Sequence, residues 1–281
     1  MNYYVLMGIL CFVGSIAFAF AGVLGVRKFI HGHVAEGHND VLVPMFLTAG
    51  VIYAVLLAFI VIAMWESYDN AKANTAQEAS LLVPLYRDSL NMAPEKGVVM
   101  RSLLREYAEG VIAGWGHFRV TAQGAPAARL TVDKIILFYG NLTPATRVRE
   151  FIAQQYLETL NQLLLARNTR LLQAAETLSW VMWVASVGGG IVTVGMSFFL
   201  YMDRPKFQVG ITSVLSLLIG MLLFIMVILE RPFLGPLGIE PEPFEASLKL
   251  FNAIDADVKQ IGDPKLLGSE PSRPNPAADH K

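Results

Sequence analysis

The chain has 281 residues, of which 54% are hydrophobic and only 16% are charged, and its mean hydropathy is +0.48. Soluble domains carry more charge than this, so the composition predicts a multi-pass membrane protein. The net charge of −1 offers no basic surface to phosphates, which excludes a nucleic-acid-binding protein. Cys11 is the single cysteine, so an internal disulfide and a cysteine-based metal site are excluded as well.

The first uncharged run covers residues 3–26 and ends at Arg27 and Lys28. It lacks the basic start and the small-residue cleavage pattern of a signal peptide, so we interpret it as a retained membrane span. A short link rich in histidine follows, at residues 29–40. Glycines flank its histidines, which is typical of an ordinary loop, and we predict no metal or cofactor there. The alternative is a zinc or nickel site on imidazole and carboxylate ligands, which would use His31, His33, Glu36, His38 and Asp40.

The second span, residues 41–65, is the longest apolar run that is joined directly to a polar region. His38, Asn39 and Asp40 precede it, and we expect them to cap the helix and to contact another helix. Good helix formers continue beyond residue 65, so the helix is predicted to extend as a stalk until it bends near Pro84.

Residues 66–178 show helical periodicity and no strand signal, which predicts a soluble all-α bundle. At its start, Glu66 and Asp69 lie one helical turn apart at the mouth of the second span. They would attract cations or bind an arginine of a partner, and the alternative is an ordinary solvated face.

The third span, residues 179–202, carries small side chains at helical spacing, which let helices approach closely in lipid. We expect this face to pack against other helices; its members are Ser186, Gly190, Thr193 and Ser197. The fourth span covers residues 207–229, and an amphipathic tail helix is predicted over residues 244–258.

The predicted fold is an all-α integral membrane protein with four transmembrane helices, arranged as two hairpins with an inserted soluble helical bundle. The domains are the first hairpin (1–65), the bundle (66–178), the second hairpin (179–229) and the tail (230–281). Lysines and arginines near the span ends are equally frequent on both sides, but the basic pair Arg27 and Lys28 lies in a short link. This favours an N-out arrangement in a bacterial inner membrane, with the bundle in the periplasm.

No catalytic constellation or nucleotide motif appears in its required context, so an enzyme is not expected. The four spans contain no ionisable residue other than tyrosine and cysteine. Coupled pumps generally need an acidic, basic or histidine side chain at membrane depth, so the spans argue against that class.

Several segments together resemble the bestrophin-like domain family of bacterial membrane proteins. They are GHNDV (37–41), GVIYAVLLAF (50–59), WESYDNA (65–71), ERPFLG (230–235) and EPEPF (240–244). The stretch 65–70 is also similar to a segment that follows the pore helix of bestrophins, which are pentameric anion channels. This resemblance implies a homo-oligomer, a pentamer if it extends so far, and a bundle in the cytosol, opposite to the charge-based orientation.

Alignment on Trp65 places Leu47, Val51 and Val55 where bestrophins carry a hydrophobic neck. The resemblance therefore implies a pore lined by these three neck residues and gated by dewetting. The aspartate run of the bestrophin calcium clasp is absent here. Two functions are expected: an oligomeric, anion-channel-like pore, or alternatively a non-conducting scaffold or accessory subunit whose bundle binds another membrane protein.

Overall fold

A computed structural model describes residues 2–30, 38–141, 147–202 and 204–261 of the chain. Within these ranges the secondary structure is helical, with turns between the helices and no strand. The α-helices are α1 (Asn2–Ile30), α2 (His38–Asp88), α3 (Pro94–Ala113), α4 (Trp115–Thr121), α5 (Pro126–Gly140), α6 (Arg147–Ala175), α7 (Trp180–Phe198), α8 (Pro205–Leu229) and α9 (Glu242–Ile261).

Four of the described helices are long and apolar enough to cross a membrane: α1, α2, α7 and α8. In their most apolar windows only 11%, 17%, 33% and 22% of the residues are buried in the single chain, as expected of helices whose side chains contact lipid. The described chain is therefore all-helical and contains four helices that could span a membrane.

Helix α2 extends well beyond its apolar run as a stalk, as the sequence predicted, and the predicted position of a bend was Pro84. It continues through this proline to Asp88, and a short 3₁₀ turn, Ser89–Asn91, follows. A proline removes one backbone hydrogen bond, and here the surrounding turn is held by the fully buried side chains of Leu82 and Leu85. The extended backbone of Met92, just before Ala93 and Pro94, marks the real end of the helical stretch.

The described chain forms two compact units, and the division falls inside α2, between Asn74 and Thr75. The first unit contains residues 1–74, 119–122 and 169–240, and the second contains residues 75–118, 123–168 and 241–281.

The first unit is built on the packing of α1 against α8 and α7. Gly220 lets α8 approach α1 closely, because a Cβ at this position would lie 2.7 Å from the backbone oxygen of Cys11. Next to it, the Ser216 hydroxyl donates to the backbone oxygen of Ser15 at 2.7 Å. The core of this unit collects apolar side chains from four helices; among them are Val23, Tyr53, Leu57, Ile60, Met64, Val194, Phe198, Ile219 and Met226.

The second unit is held together by α3, which packs on α5 and on α9. Tyr86 stacks on Phe251 with ring centroids 4.0 Å apart, and its hydroxyl donates to Asp255 at 2.7 Å. Arg105 also pairs with Asp255 at 3.2 Å. The apolar face of α9, including Phe244, is thus buried within the unit.

Candidate functional site

The neck residues Leu47, Val51 and Val55 lie on the outer side of α2. Their side chains are 59%, 63% and 51% exposed, whereas Tyr53 and Leu57 on the other side are buried in the first unit. No charged side chain occurs in α2 between Asp40 and Glu66. Between these two residues the outer side of α2 is therefore uncharged and predominantly apolar.

An open apolar groove of about 630 Å³ lies beside this surface, between α2 and α8, with α7 at its floor. Leu47 and Val51 line the groove and Val55 does not. Its two polar side chains already have partners: the Thr193 hydroxyl donates to the Gly189 backbone oxygen at 2.8 Å and the Tyr53 hydroxyl to that of Ser186 at 2.9 Å. The groove thus presents apolar side chains and hydroxyls that are already bonded.

The mouth residues Glu66 and Asp69 are exposed and continue the same side of α2. Eighteen residues separate Val51 from Asp69, which is about five helical turns, and eleven separate Val55 from Glu66, about three turns. Each carboxylate therefore lies above one neck residue. A ring assembled around the neck residues would carry these carboxylates at its opening.

The sequence ERPFLGPLGIE (residues 230–240) forms a tight loop after α8, which we call the Arg-Pro-Phe loop. The Ile239 amide donates to the Pro232 backbone oxygen at 2.9 Å and closes the loop on itself. Gly235 has a φ of +88°, a conformation that favours glycine, and a Cβ there would lie 2.7 Å from the Tyr4 ring. Phe233 is buried.

Side chains from the helices of the first unit hold this loop. The Arg119 Nε donates to the Phe233 backbone oxygen at 2.8 Å, and its Nη1 pairs with Glu240 at 2.9 Å. The Tyr68 hydroxyl of α2 donates to the Leu237 backbone oxygen at 2.9 Å. At the start of the loop, the Trp183 indole nitrogen of α7 donates to Glu230 at 3.1 Å.

At the other end of α2, His38 and Asn39 contact the chain that follows α7. Asn39 both donates to the Tyr201 backbone oxygen, at 2.8 Å, and accepts from the Tyr201 amide, at 3.0 Å. A His38 ring nitrogen lies 3.3 Å from the Phe199 backbone oxygen. His38, Asn39 and Asp40 are the first three residues of α2 as described, and their function as helix caps stays a prediction.

Helix α1 reaches the same segment through Arg27, whose Nε donates to Gln208 of α8 at 3.0 Å. The Arg27 guanidinium also contacts the Met202 backbone oxygen and lies 5.9 Å from the centre of the Tyr201 ring. Of the histidine-rich link, His31, His33 and Glu36 lie outside the described residues.

The small side chains of α7 face the interior of the first unit. Ser186, Thr193 and Ser197 are buried, and each hydroxyl donates to a backbone oxygen of its own helix. A Cβ at Gly190 would lie 3.0 Å from the Tyr53 hydroxyl and 3.1 Å from Ile219.

Sequence reasoning missed Arg119, Tyr68 and Tyr53, because their partners are main-chain atoms more than 100 residues away in the chain. It also missed Gly189, where an added Cβ would overlap the Tyr53 ring. In the sequence, the run of three glycines at residues 188–190 indicates a close contact, but it does not show which of the three glycines makes it.

The sequence model of the bestrophin-like domain family matches residues 13–244, which include all four candidate spans in whole or in part and the Arg-Pro-Phe loop. No curated protein and no solved structure matches the chain. The match covers most of the 281 residues and contains all the segments that carry the resemblance. The chain belongs to the bestrophin-like domain family.

Proposed function

We propose that the protein is an oligomeric, anion-channel-like pore of the bacterial inner membrane, with α2 of each subunit at the pore axis. One observation carries the proposal: the outer side of α2 is uncharged and exposed over its apolar length, with Leu47, Val51 and Val55 on it. Family membership supports the same function, because the bestrophins that the chain resembles are channels.

The neck residues would set the resistance of the pore. Several copies of an apolar side chain around a narrow axis exclude water, and an ion cannot cross until the constriction widens and is wetted. Leu47, Val51 and Val55 recur every four residues, so the dry segment would extend over about two helical turns. The pore thus needs no titratable group at membrane depth.

We further propose that the four apolar helices cross the membrane as two hairpins, with residues 66–178 inserted between them as a bundle. The packing of α7 against α8 supports the second hairpin. Flanking charge favours a periplasmic bundle. A cysteine introduced at Glu158, in the background Cys11→Ser, should react with an impermeant maleimide in intact cells; protection until lysis would place the bundle in the cytosol.

Reconstituted liposomes test the pore. Purified protein should release chloride down a gradient, and Val51→Ala should increase the flux at least about twofold by shortening the dry segment. Val13→Ala, on an exposed position of α1, removes the same volume outside the neck and should leave the flux unchanged. A verified oligomer that passes no ion at any potential would overturn the proposal.

The alternative function is a scaffold or accessory subunit that binds another membrane protein through the bundle. Two features suggested it from sequence, the small-residue face of α7 and the apolar face of the tail helix. Both faces are occupied within the chain: Gly190 packs against Tyr53 and Ile219, and Phe244 lies beside Trp115 in the second unit. These contacts favour the pore.

A further inference from the structure

Arg27 carries a positive charge that no carboxylate of the described chain balances by an ion pair. Its side chain is half-buried near the end of α1, and its Nε donates to Gln208 of α8 at 3.0 Å. The same guanidinium contacts the Met202 backbone oxygen, so both oxygens that accept from it are neutral. A charge that is partly removed from water is costly unless a counter-charge accompanies it. The contact between α1 and α8 at this end therefore lacks an anion.

Three further cations lie close to this contact along the chain. Lys28 follows Arg27 directly, and Arg204 and Lys206 precede Gln208 by four and two residues. All three are exposed, and none forms an ion pair with a carboxylate among the residues that the structure describes. We call these three residues, together with Arg27, the basic cluster.

The carboxylates at this end are fewer than the cations of the basic cluster. Asp40, in the first turn of α2, is exposed and forms no ion pair within the described chain. In the sequence, Glu36 and Asp203 also belong to the links at this end, and both lie outside the described residues. Four cations against three carboxylates leave an excess of positive charge, although the whole chain has a net charge of −1. An anion is thus attracted locally, and not by the chain as a whole.

The basic cluster lies at the ends of two candidate membrane spans, Tyr3–Phe29 and Pro205–Leu229. Long basic side chains at such ends reach the level of the lipid headgroups. Apolar side chains next to the cluster are exposed: Leu24, one turn before Lys28, is 44% exposed, and Phe207 is 62% exposed. A ligand that has both an anionic group and apolar chains therefore fits this place better than a free anion does.

We propose that the basic cluster binds the headgroup phosphate of an anionic phospholipid, whose acyl chains lie along the exposed apolar side chains of α1 and α8. Guanidinium and ammonium groups donate charge-assisted hydrogen bonds to phosphate, which are stronger than bonds between neutral groups. Basic pockets at the ends of membrane helices hold anionic lipid headgroups in this way. The lipid supplies the counter-charge that Arg27 lacks, so its binding stabilises the packing of α1 on α8. This binding does not depend on whether the protein conducts ions.

Thermal unfolding of the full chain in mild detergent tests the proposal. The protein should melt several degrees higher with added phosphatidylglycerol than with phosphatidylcholine of the same acyl chains, because only the first lipid is anionic. The triple variant Lys28→Gln, Arg204→Gln and Lys206→Gln lacks three of the four cations and should lose at least about half of this difference. An unchanged difference in the triple variant, or an equal rise with both lipids in the wild-type protein, would overturn the proposal.

A matched control removes the same charges from the second unit. The triple variant Lys96→Gln, Arg129→Gln and Lys249→Gln changes exposed positions of α3, α5 and α9 and should keep the full difference between the two lipids. An equal loss in this control would show that phosphatidylglycerol responds to the overall charge of the protein, and it would overturn the basic cluster as the binding site.

Two measurements on the wild-type protein need no variant. Raising the sodium chloride concentration from about 50 mM to about 500 mM should remove most of the difference between the lipids, because salt screens exposed charges. Glycerol phosphate, which has the phosphate and no acyl chains, should not raise the melting temperature at the same concentration. A difference that survives high salt would contradict binding through charge. A full rise with glycerol phosphate alone would mean that the cluster binds a free anion, and it would overturn the lipid.

Discussion

Tyr53 joins α2 to α7 by donating its hydroxyl to the Ser186 backbone oxygen at 2.9 Å. Its ring lies against Gly189, where no side chain fits, and its hydroxyl lies against Gly190, where a Cβ would come within 3.0 Å. Gly188, the first glycine of the run, faces open space. The three consecutive glycines therefore differ in what they contact. The position of α2 against α7 depends on Gly189, the second of the three.

Gly189→Ala should destabilise the protein by about 1–3 kcal/mol, because the added methyl group forces the buried Tyr53 ring and α2 to move. Thermal unfolding in detergent micelles measures the change. Gly188→Ala is the matched control, since it adds the same methyl group one residue away without a contact, and it should be neutral or slightly stabilising. Equal melting temperatures for the two variants would contradict the packing described for Tyr53.

Tyr53→Phe should have a smaller effect, because it removes one hydrogen bond and keeps the ring in place. Bonds of this kind between membrane helices contribute about 0.6 kcal/mol on average. The variant should thus unfold slightly earlier than the wild-type protein and clearly later than Gly189→Ala. A loss as large as that of Gly189→Ala would mean that the hydroxyl, and not the ring, fixes α2 against α7.

The sequence predicts those parts of the fold that depend on local pattern. Apolar length alone indicated four spans, and the spacing of Ser186, Gly190, Thr193 and Ser197 identified one face of α7. The residue that packs against that face could not be predicted, because Tyr53 lies 133 residues before its hydrogen-bond partner. A single sequence contains no record of such pairs.

Pro84 and Arg119 show the same limit. By a local rule Pro84 was expected to disturb α2, but the helix continues through it to Asp88, beside the buried side chains of Leu82 and Leu85. Arg119 stands in a short helix without a recognisable motif, and its function follows only from the Arg-Pro-Phe loop, which lies more than 100 residues later. In both cases the structure is determined by tertiary contacts, which a local sequence pattern does not contain.

Arg119→Lys should loosen the Arg-Pro-Phe loop. The guanidinium reaches the Phe233 backbone oxygen and Glu240 at the same time, and an ammonium group cannot reproduce this fork. The Ile239 amide, which closes the loop on Pro232, should then exchange its hydrogen several-fold faster, as measured by mass spectrometry after deuterium labelling. Arg129→Lys, an exposed position of α5, is the control. If the Ile239 amide exchanged at an unchanged rate in Arg119→Lys, the other hydrogen bonds of the loop would be sufficient to keep it closed.

The mouth residues should reduce the preference of the proposed pore for anions. Two carboxylates per subunit above the neck residues would make a negative ring, and such rings attract cations. The double variant Glu66→Gln with Asp69→Asn should therefore shift the reversal potential in a salt gradient towards that of chloride. Glu95→Gln, an exposed carboxylate of α3, controls for net charge. A shift of the opposite sign, or an equal shift in the control, would contradict a mouth at these residues.

Glu106 should make the second unit sensitive to acid. A hydrogen bond from Lys134 at 2.8 Å, and a second one from Thr131 at 2.9 Å, lower the pKa of this carboxyl below its ordinary value of 4.5. The unfolded chain has the higher pKa, so the contribution is complete above about pH 4.5 and is lost as the pH falls through the lowered pKa of the folded state.

The side chains of Lys134 and Glu106 are 55% and 50% exposed, so solvent screens this ion pair. Its contribution to the free energy of unfolding should therefore stay below about 1 kcal/mol. The measurement is the difference in melting temperature between the wild-type protein and Glu106→Gln, followed from about pH 7 to about pH 3. This difference should shrink towards zero in acid, because the wild-type carboxyl then becomes neutral as well. Glu158→Gln, an exposed position of α6, should show no such trend. A difference that stays constant across the range would show that the contact of Glu106 with α5 does not depend on its charge.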